Sequence, residues 1–216
     1  MLILALDTAT PSTTVAVTRE GELLGESSHV DPRKHAELLT PTIDALLRSA
    51  DVELSAVSDI VVGVGPGAFT GLRVGLATAR ALGQALRIPV HGMVTLDALA
   101  CEAGLTSPFA VVMDARRKQV FWAQYADAAT RTSGPFVADP GEVQRRTTGM
   151  PVVGAAATPF ADLFAASLGP RYPSAGALGL LAHRRLAAGE LLLLPEPLYL
   201  RHPDVTPSVT PKSVLS

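Results

Sequence analysis

The sequence predicts an α/β fold of two similar lobes, and three observations carry that reading. An apolar run ends on an aspartate at residues 2–7, and a second run of the same kind ends on an aspartate at residues 109–114. Between them a glycine-rich turn, residues 65–75, joins another apolar run to a helical pattern. Short continuous apolar runs mark strands covered on both faces, which is the condition of strands inside an α/β sheet.

Each element follows in order. Residues 2–6 form the first buried strand. Residues 13–19 set Val15 and Val17 against small or polar neighbours, the alternation of a half-buried strand. Glu20-Gly21 then turns the chain into a third strand at 22–27. Residues 35–50 are helical, with Leu39, Ile43, Leu46, Leu47 and Ala50 on one face. Pro41 inside this stretch should kink the helix or mark its true start. A buried strand is expected at 59–65, a helix at 71–86 that stops before Pro89, a short strand at 89–93 and a helix at 95–103.

The second half restarts in the same manner, with strands at 109–114, 119–125 and 151–154 and helices at 160–167 and 175–188. The expected division is therefore an N-terminal lobe at 1–103 and a C-terminal lobe at 104–201. Residues 202–216 are rich in Pro, Thr, Ser and Val without periodicity, which predicts a mobile tail.

Composition narrows the class. Of 216 residues 48% are hydrophobic and 18% charged, enough apolar material for a sizeable core and too little charge for a disordered chain. The formal net charge is −2 with no basic tract, so nothing steers the chain onto nucleic acid by itself. The one cysteine, Cys101, excludes an intramolecular disulfide and a Cys-rich metal cage. It reads either as a small buried side chain or as a reactive thiol. The N-terminus lacks the basic start of a signal peptide, and no stretch approaches the roughly 20 apolar residues of a membrane span, so a cytoplasmic protein is expected.

Several features could carry chemistry. Gly65-Pro66-Gly67-Ala68-Phe69-Thr70-Gly71 follows a strand and opens a helix, where free N–H groups can hold an anion. It lacks the Gly-Lys-Ser/Thr ending of a phosphate-binding loop and the spacing of the dinucleotide fingerprint. A phosphate or nucleotide contact and a plain tight turn are both open. Beyond it Gly71, Gly75, Ala79 and Gly83 recur every fourth residue, a ridge of almost no side chain flanked by Leu72, Leu76 and Leu86. Such a ridge admits close approach, either by elements of this chain or by a helix of another subunit.

Asp7-Thr8-Ala9-Thr10 ends the first strand and could hold a metal–phosphate complex or merely tie its own turn. Asp114-Ala115-Arg116-Arg117-Lys118 is the corresponding turn of the second half. The five histidines, among them His35, show no i, i+4 pair, and no Gly-x-Ser-x-Gly elbow is present, so neither a metal nor a catalytic residue is assigned.

The run from Gly65 to Gly75, GPGAFTGLRVG, closely resembles the signature of the TsaB (YeaZ) family. Leu6-Asp7-Thr8, His35 with Leu38-Leu39-Thr40-Pro41, Asp114-Ala115-Arg116 and Pro197-Leu198-Tyr199-Leu200-Arg201 also match it. The resemblance implies an actin-like, sugar-kinase-like (ASKHA) fold of two ribonuclease-H-like lobes. It further implies a non-catalytic subunit in bacterial tRNA threonylcarbamoyladenosine synthesis. Such a subunit pairs as a heterodimer with a catalytic TsaD-type paralogue, is joined by a TsaE-type ATPase, can form a homodimer, and meets tRNA only through the complex.

On that resemblance the partner interface is expected at Leu39, Ile43, Leu46, Leu47, Gly71, Leu72, Gly75, Leu76, Ala79 and Gly83. A vestigial nucleotide contact is expected at Asp7, Thr8, Thr10, Gly65, Gly67 and Gly154, the last being a short match to an adenosine-contacting turn, with no cofactor retained. The alternative function is an ATP-dependent phosphotransferase or ATPase of the same fold.

Overall fold

A computed structural model describes residues 1–154, 158–164 and 167–200. The first half runs β1 (Leu2–Asp7), β2 (Ser12–Arg19), β3 (Glu22–Val30), α1 (His35–Ser49), β4 (Asp59–Gly65), α2 (Phe69–Leu86), β5 (Val90–Val94) and α3 (Thr95–Ala103). The second runs β6 (Phe109–Asp114), β7 (Val120–Tyr125), β8 (Arg131–Ala138), α4 (Pro140–Arg146), β9 (Val152–Val153), β10 (Ser167–Leu168) and α5 (Ala175–Ala187).

The strands form two five-stranded sheets, ordered β3-β2-β1-β4-β5 and β10-β9-β6-β7-β8. In each, the first three strands in sequence are antiparallel neighbours, and the remaining two run parallel to the first. The second sheet therefore repeats the topology of the first. Two ribonuclease-H-like lobes of this order make up an ASKHA-type α/β fold. β1 and β6, the two runs that end on aspartate, are the central strands, and their apolar residues are fully buried because helices or loops cover both faces.

Most bounds fall within a few residues of the sequence reading, and the differences have local causes. β8 was not expected, because Gly134-Pro135 interrupts it and its apolar residues do not alternate. It forms as an edge strand, where a missing N–H is tolerated. α4 carries the signals of a helix start: Asp139 accepts from the N–H groups of Gly141 and Glu142, and Pro140 opens the first turn. The helix expected at 160–167 is instead a short 3₁₀ turn (Ala161–Leu163), followed by β10 from Ser167. Pro41 lies exposed inside α1 and the helix runs through it. The tail at 202–216 lies outside the described residues, as do Ala155, Ala156 and Arg201.

The last helix of each half does not stay with its own sheet. α5 packs on β1, β2, β3 and β4 of the first sheet and against α3. On α3, Leu96, Leu99 and Ala100 enter the core of the second sheet with Phe109, Val111 and Tyr125. Its Ala98 packs instead with Leu178 and Leu181 of α5 against the first sheet. The start of α5 is capped from that sheet: the N–H of Ala175 donates to Thr14 Oγ1 (3.1 Å) and that of Gly176 to Glu26 Oε1 (3.2 Å).

At this junction Asp97 of α3, 1% exposed, faces Arg131 of β8 (3.0 Å) and Arg185 of α5 (3.4 Å). It also accepts a hydrogen bond from the hydroxyl of Tyr125 at 2.8 Å. Such partners offset the cost of burying a carboxylate.

The small-residue ridge of α2 faces inward. A Cβ added at Gly71 would lie 2.2 Å from the carbonyl oxygen of Thr8, one at Gly75 2.5 Å from Thr8 Oγ1, and one at Gly83 2.2 Å from Val90 Cγ2. Ala79 is fully buried. The ridge thus seats α2 on the end of β1 and on β5 of its own lobe. Leu39, Ile43, Leu46, Leu47 and Leu76 enter the same core, and Leu72 is 1% exposed against Gly65. All ten residues expected at a partner interface are buried, and Ile43 and Leu47 also line a concave surface on the outer side of α1 and α2. The small residues at every fourth position let α2 pack this closely within the chain.

Two outcomes follow. Asp97→Ala strands two arginines and a tyrosine hydroxyl, and should cost about 3–5 kcal/mol in a urea unfolding curve. Gly75→Ala should cost about 1–3 kcal/mol by overpacking against Thr8. A wild-type midpoint for either variant would show that the contact is dispensable.

Candidate functional site at the cleft between the lobes

A cavity of about 520 Å³ opens between the lobes, within the size range of small-molecule sites. One wall is the β1–β2 turn (Ala9, Thr10, Pro11), His35 at the start of α1 and the glycine turn with the first residues of α2 (Gly67, Ala68, Thr70, Gly71). The other is the β6–β7 turn (Asp114, Ala115, Arg116) with Met113, Phe121, Thr158, Arg171 and Tyr172. The two strand-ending turns that sequence analysis paired therefore border one cleft.

Of the expected nucleotide contacts, Thr10 and Gly67 line this cavity, while Asp7, Thr8, Gly65 and Gly154 do not. Asp7 is fully buried and both its oxygens are used. Oδ1 accepts the N–H of Ala9 at 2.7 Å, and Oδ2 accepts the hydroxyl of Thr95 at 2.6 Å. That hydroxyl in turn accepts the N–H of Gly65 at 3.2 Å. The carboxylate fits only because residue 63 is glycine, since a Cβ there would sit 1.7 Å from Oδ2. Burial raises the Asp7 pKa to about 6, against the smaller opposing effect of its hydrogen bonds from Thr95 and Ala9.

Thr8 is equally committed: its hydroxyl donates to the carbonyl of Gly71 (2.7 Å) and accepts the N–H of Gly75 (3.0 Å). The aspartate turn thus ties its own strand end to α2 and α3, and no carboxylate oxygen of Asp7 faces the cleft. Gly154, at φ +82°, is excluded from bearing a side chain by the carbonyl of Val112, 2.6 Å from its Cβ position.

The residue that sequence reasoning set aside is His35. Its side chain is 6% exposed, it lines the cleft, and Nδ1 is 2.7 Å from the hydroxyl of Thr13. Burial lowers its pKa, with a smaller opposing effect from Asp31. The signal available in sequence was its place at the first position of α1, beneath a buried hydroxyl strand. Across the cleft Asp114 Oδ1 accepts the N–H of Arg116 at 2.9 Å. Arg116, Arg117 and Lys118 follow with φ of 62°, 49° and 60°, a left-handed turn made without glycine. Cys101 is half-buried with a thiol pKa raised by burial, and Arg184 donates to its Sγ at 3.1 Å, so the small buried side chain describes it better than a reactive thiol.

A second concave surface of about 340 Å³ lies on the outer side of α1 and α2, lined by Thr40, Ile43, Asp44, Leu47 and Arg48 of α1 with Thr78 and Leu82 of α2. Beside it α2 exposes Ala77, Ala81 and Ala85, a second small-residue ridge pointing away from the core. Among the described residues no helix is long and apolar enough to cross a membrane.

The raised pKa of Asp7 sets a pH dependence. Between its ordinary 3.8 and about 6 the folded chain binds the extra proton, so stability is full below that window and falls as pH rises through about 6. The change is on the order of 3 kcal/mol. Asp7→Asn cannot ionise and should flatten this part of a profile of urea midpoint against pH. An unchanged profile would assign the titration to another group.

Comparison with known proteins agrees with this architecture. The family model for TsaD, tRNA N6-adenosine threonylcarbamoyltransferase, matches residues 23–165. An uncharacterized protein of Mycobacterium tuberculosis is 43% identical over 208 residues, 95% of this chain and 94% of its own length. The tRNA threonylcarbamoyladenosine biosynthesis protein TsaB of Escherichia coli is 34% identical over 131 residues, which cover 58% of this chain and 55% of that protein. The structure of YeaZ from Pseudomonas aeruginosa superposes with a TM-score of 0.79 at 31% identity, over 92% of this chain and all of that one. With the two-lobed topology and the GPGAFTGLRVG turn, these similarities place the chain in the TsaB (YeaZ) family.

Proposed function

We propose that this chain acts in tRNA threonylcarbamoyladenosine biosynthesis as a non-catalytic subunit that pairs with a TsaD-type catalytic paralogue. Family membership supports the pathway, since the relatives named TsaB carry that role in their names. The scaffold role rests on one observation, the commitment of Asp7. An ATPase or phosphotransferase of this fold would need that carboxylate turned toward a metal-bound phosphate. Here both oxygens point into the protein and hold Thr95 and Ala9.

The pairing surface we assign is the outer face of α1 and α2 rather than the inner ridge. Thr40, Asp44 and Arg48 of α1 line that side with Thr78 and Leu82 of α2, and Val74, Ala77, Ala81 and Ala85 of α2 are exposed or half-exposed. Small side chains there permit close approach of a partner helix, and the apolar area would contribute roughly 25 cal/mol per Å² before the costs of association. A TsaE-type ATPase, and tRNA met through the complex, complete the proposed assembly. A homodimer through the same face would compete with the heterodimer. The chain works in the cytoplasm on this reading, alongside tRNA.

Mixing the purified chain with its TsaD-type paralogue should yield a heterodimer by size-exclusion chromatography. Ala81→Arg should abolish it while leaving the unfolding midpoint unchanged. A heterodimer that survives Ala81→Arg together with Ala77→Arg would overturn the assigned face. Calorimetry with ATP and Mg²⁺ tests the enzymatic alternative: turnover lost on Asp7→Ala would replace the scaffold reading.

A further inference from the structure

We propose that two arginines of α2, Arg73 and Arg80, receive carboxylates from a helix of the protein that docks on this face, with Arg73 as the fixed anchor. This deepens the pairing reading above and rests on it, adding the chemistry that the partner must bring. α2 contains no acidic residue, and its two charged side chains, Arg73 and Arg80, are both exposed. Seven residues separate them, so they stand within about 20° of each other around the helix and about 10 Å apart along it. They flank the Ala77 and Ala81 ridge on the side away from α1, since Thr78 and Leu82 line the groove with α1 while Arg73 reaches Tyr199.

Arg73 is held in place before any partner arrives. Its guanidinium carbon lies 3.6 Å from the centroid of the Phe69 ring. Phe69 stacks in turn on Tyr199 with centroids 5.2 Å apart, and Arg73 Nε donates to the Tyr199 hydroxyl at 3.2 Å. These contacts fix a long side chain, so less rotamer freedom is lost when it binds. Nη1 and Nη2 have no acceptor among the described residues, and that end of the fork matches the two oxygens of one carboxylate. The stack itself is open to solvent, with Phe69 42% and Tyr199 40% exposed. Aromatic rings and arginine are the residue types that most often anchor a protein interface. Arg80 has no ion pair or hydrogen bond among the described residues.

The occupant is a protein helix rather than nucleic acid. The exposed alanines beside the two arginines let a helix backbone come close, and two carboxylates seven residues apart on such a helix repeat the spacing of Arg73 and Arg80. The formal net charge of −2 gives the chain no general attraction for a polyanion. The other helix of the face has the opposite balance: α1 exposes Glu37 and Asp44, and Asp44 is already paired with Arg48. Carboxylates are therefore required opposite α2 and not opposite α1.

Calorimetric titration of the full chain into the TsaD-type paralogue, without RNA and at low and high salt, tests the assignment. The wild-type chain should bind, and more weakly at high salt. Arg73→Glu and Arg80→Glu should each weaken binding by about tenfold or more and flatten the salt dependence, with the unfolding midpoint of Arg80→Glu unchanged. Arg145→Glu, the same change of charge on α4 of the other lobe, should leave the affinity unchanged. In Arg80→Lys, a zero-length carbodiimide should couple the introduced amine to an Asp or Glu of the paralogue. Wild-type affinity in both charge reversals, equal weakening by Arg145→Glu, or no coupling product would each overturn the assignment while leaving the pairing in place. No complex with the wild-type chain would overturn both. Binding of tRNA by the chain alone, abolished by Arg73→Glu and Arg80→Glu, would give the two arginines to phosphate and overturn the carboxylate assignment.

Discussion

The seating of α2 on the end of β1 is the contact from which the rest of the first lobe takes its geometry. Thr8 offers a carbonyl and a hydroxyl to one helical turn, and residues 71 and 75 must be glycine for the helix to come that close. Residues 63 and 67 obey the same constraint, one beneath the Asp7 carboxylate and the other against Ala9. Four glycines and two strand-end polar side chains thus form a single interlocked joint. It fixes where α2 begins, and so fixes the wall of the cleft. Because the inner side of α2 is used up in this way, its exposed residues, Ala77, Ala81 and Ala85 among them, lie on the outer side.

Two buried aspartates show contrasting solutions to the same electrostatic problem. Asp97 gathers two arginines and a tyrosine hydroxyl from three elements. Asp7 has no cation beside it, only a hydroxyl and a backbone N–H, and burial lifts its pKa to about 6. The first arrangement ties the lobes to each other; the second ties a strand end to its neighbours. Neither leaves a carboxylate oxygen free for work in the cleft.

The repeat of two sheets was legible because buried central strands announce themselves as unbroken apolar runs ending on Asp7 and Asp114. What sequence could not decide was the direction in which a feature faces. Gly71, Gly75, Ala79 and Gly83 predict close approach equally well for an inner and an outer partner, and spacing carries no information on which. His35 looked solitary because its partner, Thr13, is 22 residues away and meets it only after β2 and α1 pack together. Asp7 resembled a phosphate-site acid, and only the distant hydroxyl of Thr95 reveals the side chain's true commitment. Edge strands such as β8, held mainly by backbone bonds, leave a weak apolar signature for the same reason that they tolerate Gly134-Pro135.

The crossing of the last helices has a consequence for how the molecule comes into being. α5 emerges late from the ribosome yet covers the sheet that was made first, while α3 is made early and completes a core whose strands do not yet exist. During synthesis the first sheet must therefore wait with one face uncovered until residue 187 is available. Cutting the chain between the two halves would leave the first sheet without α5 and the second core without α3, so the two lobes share one seam.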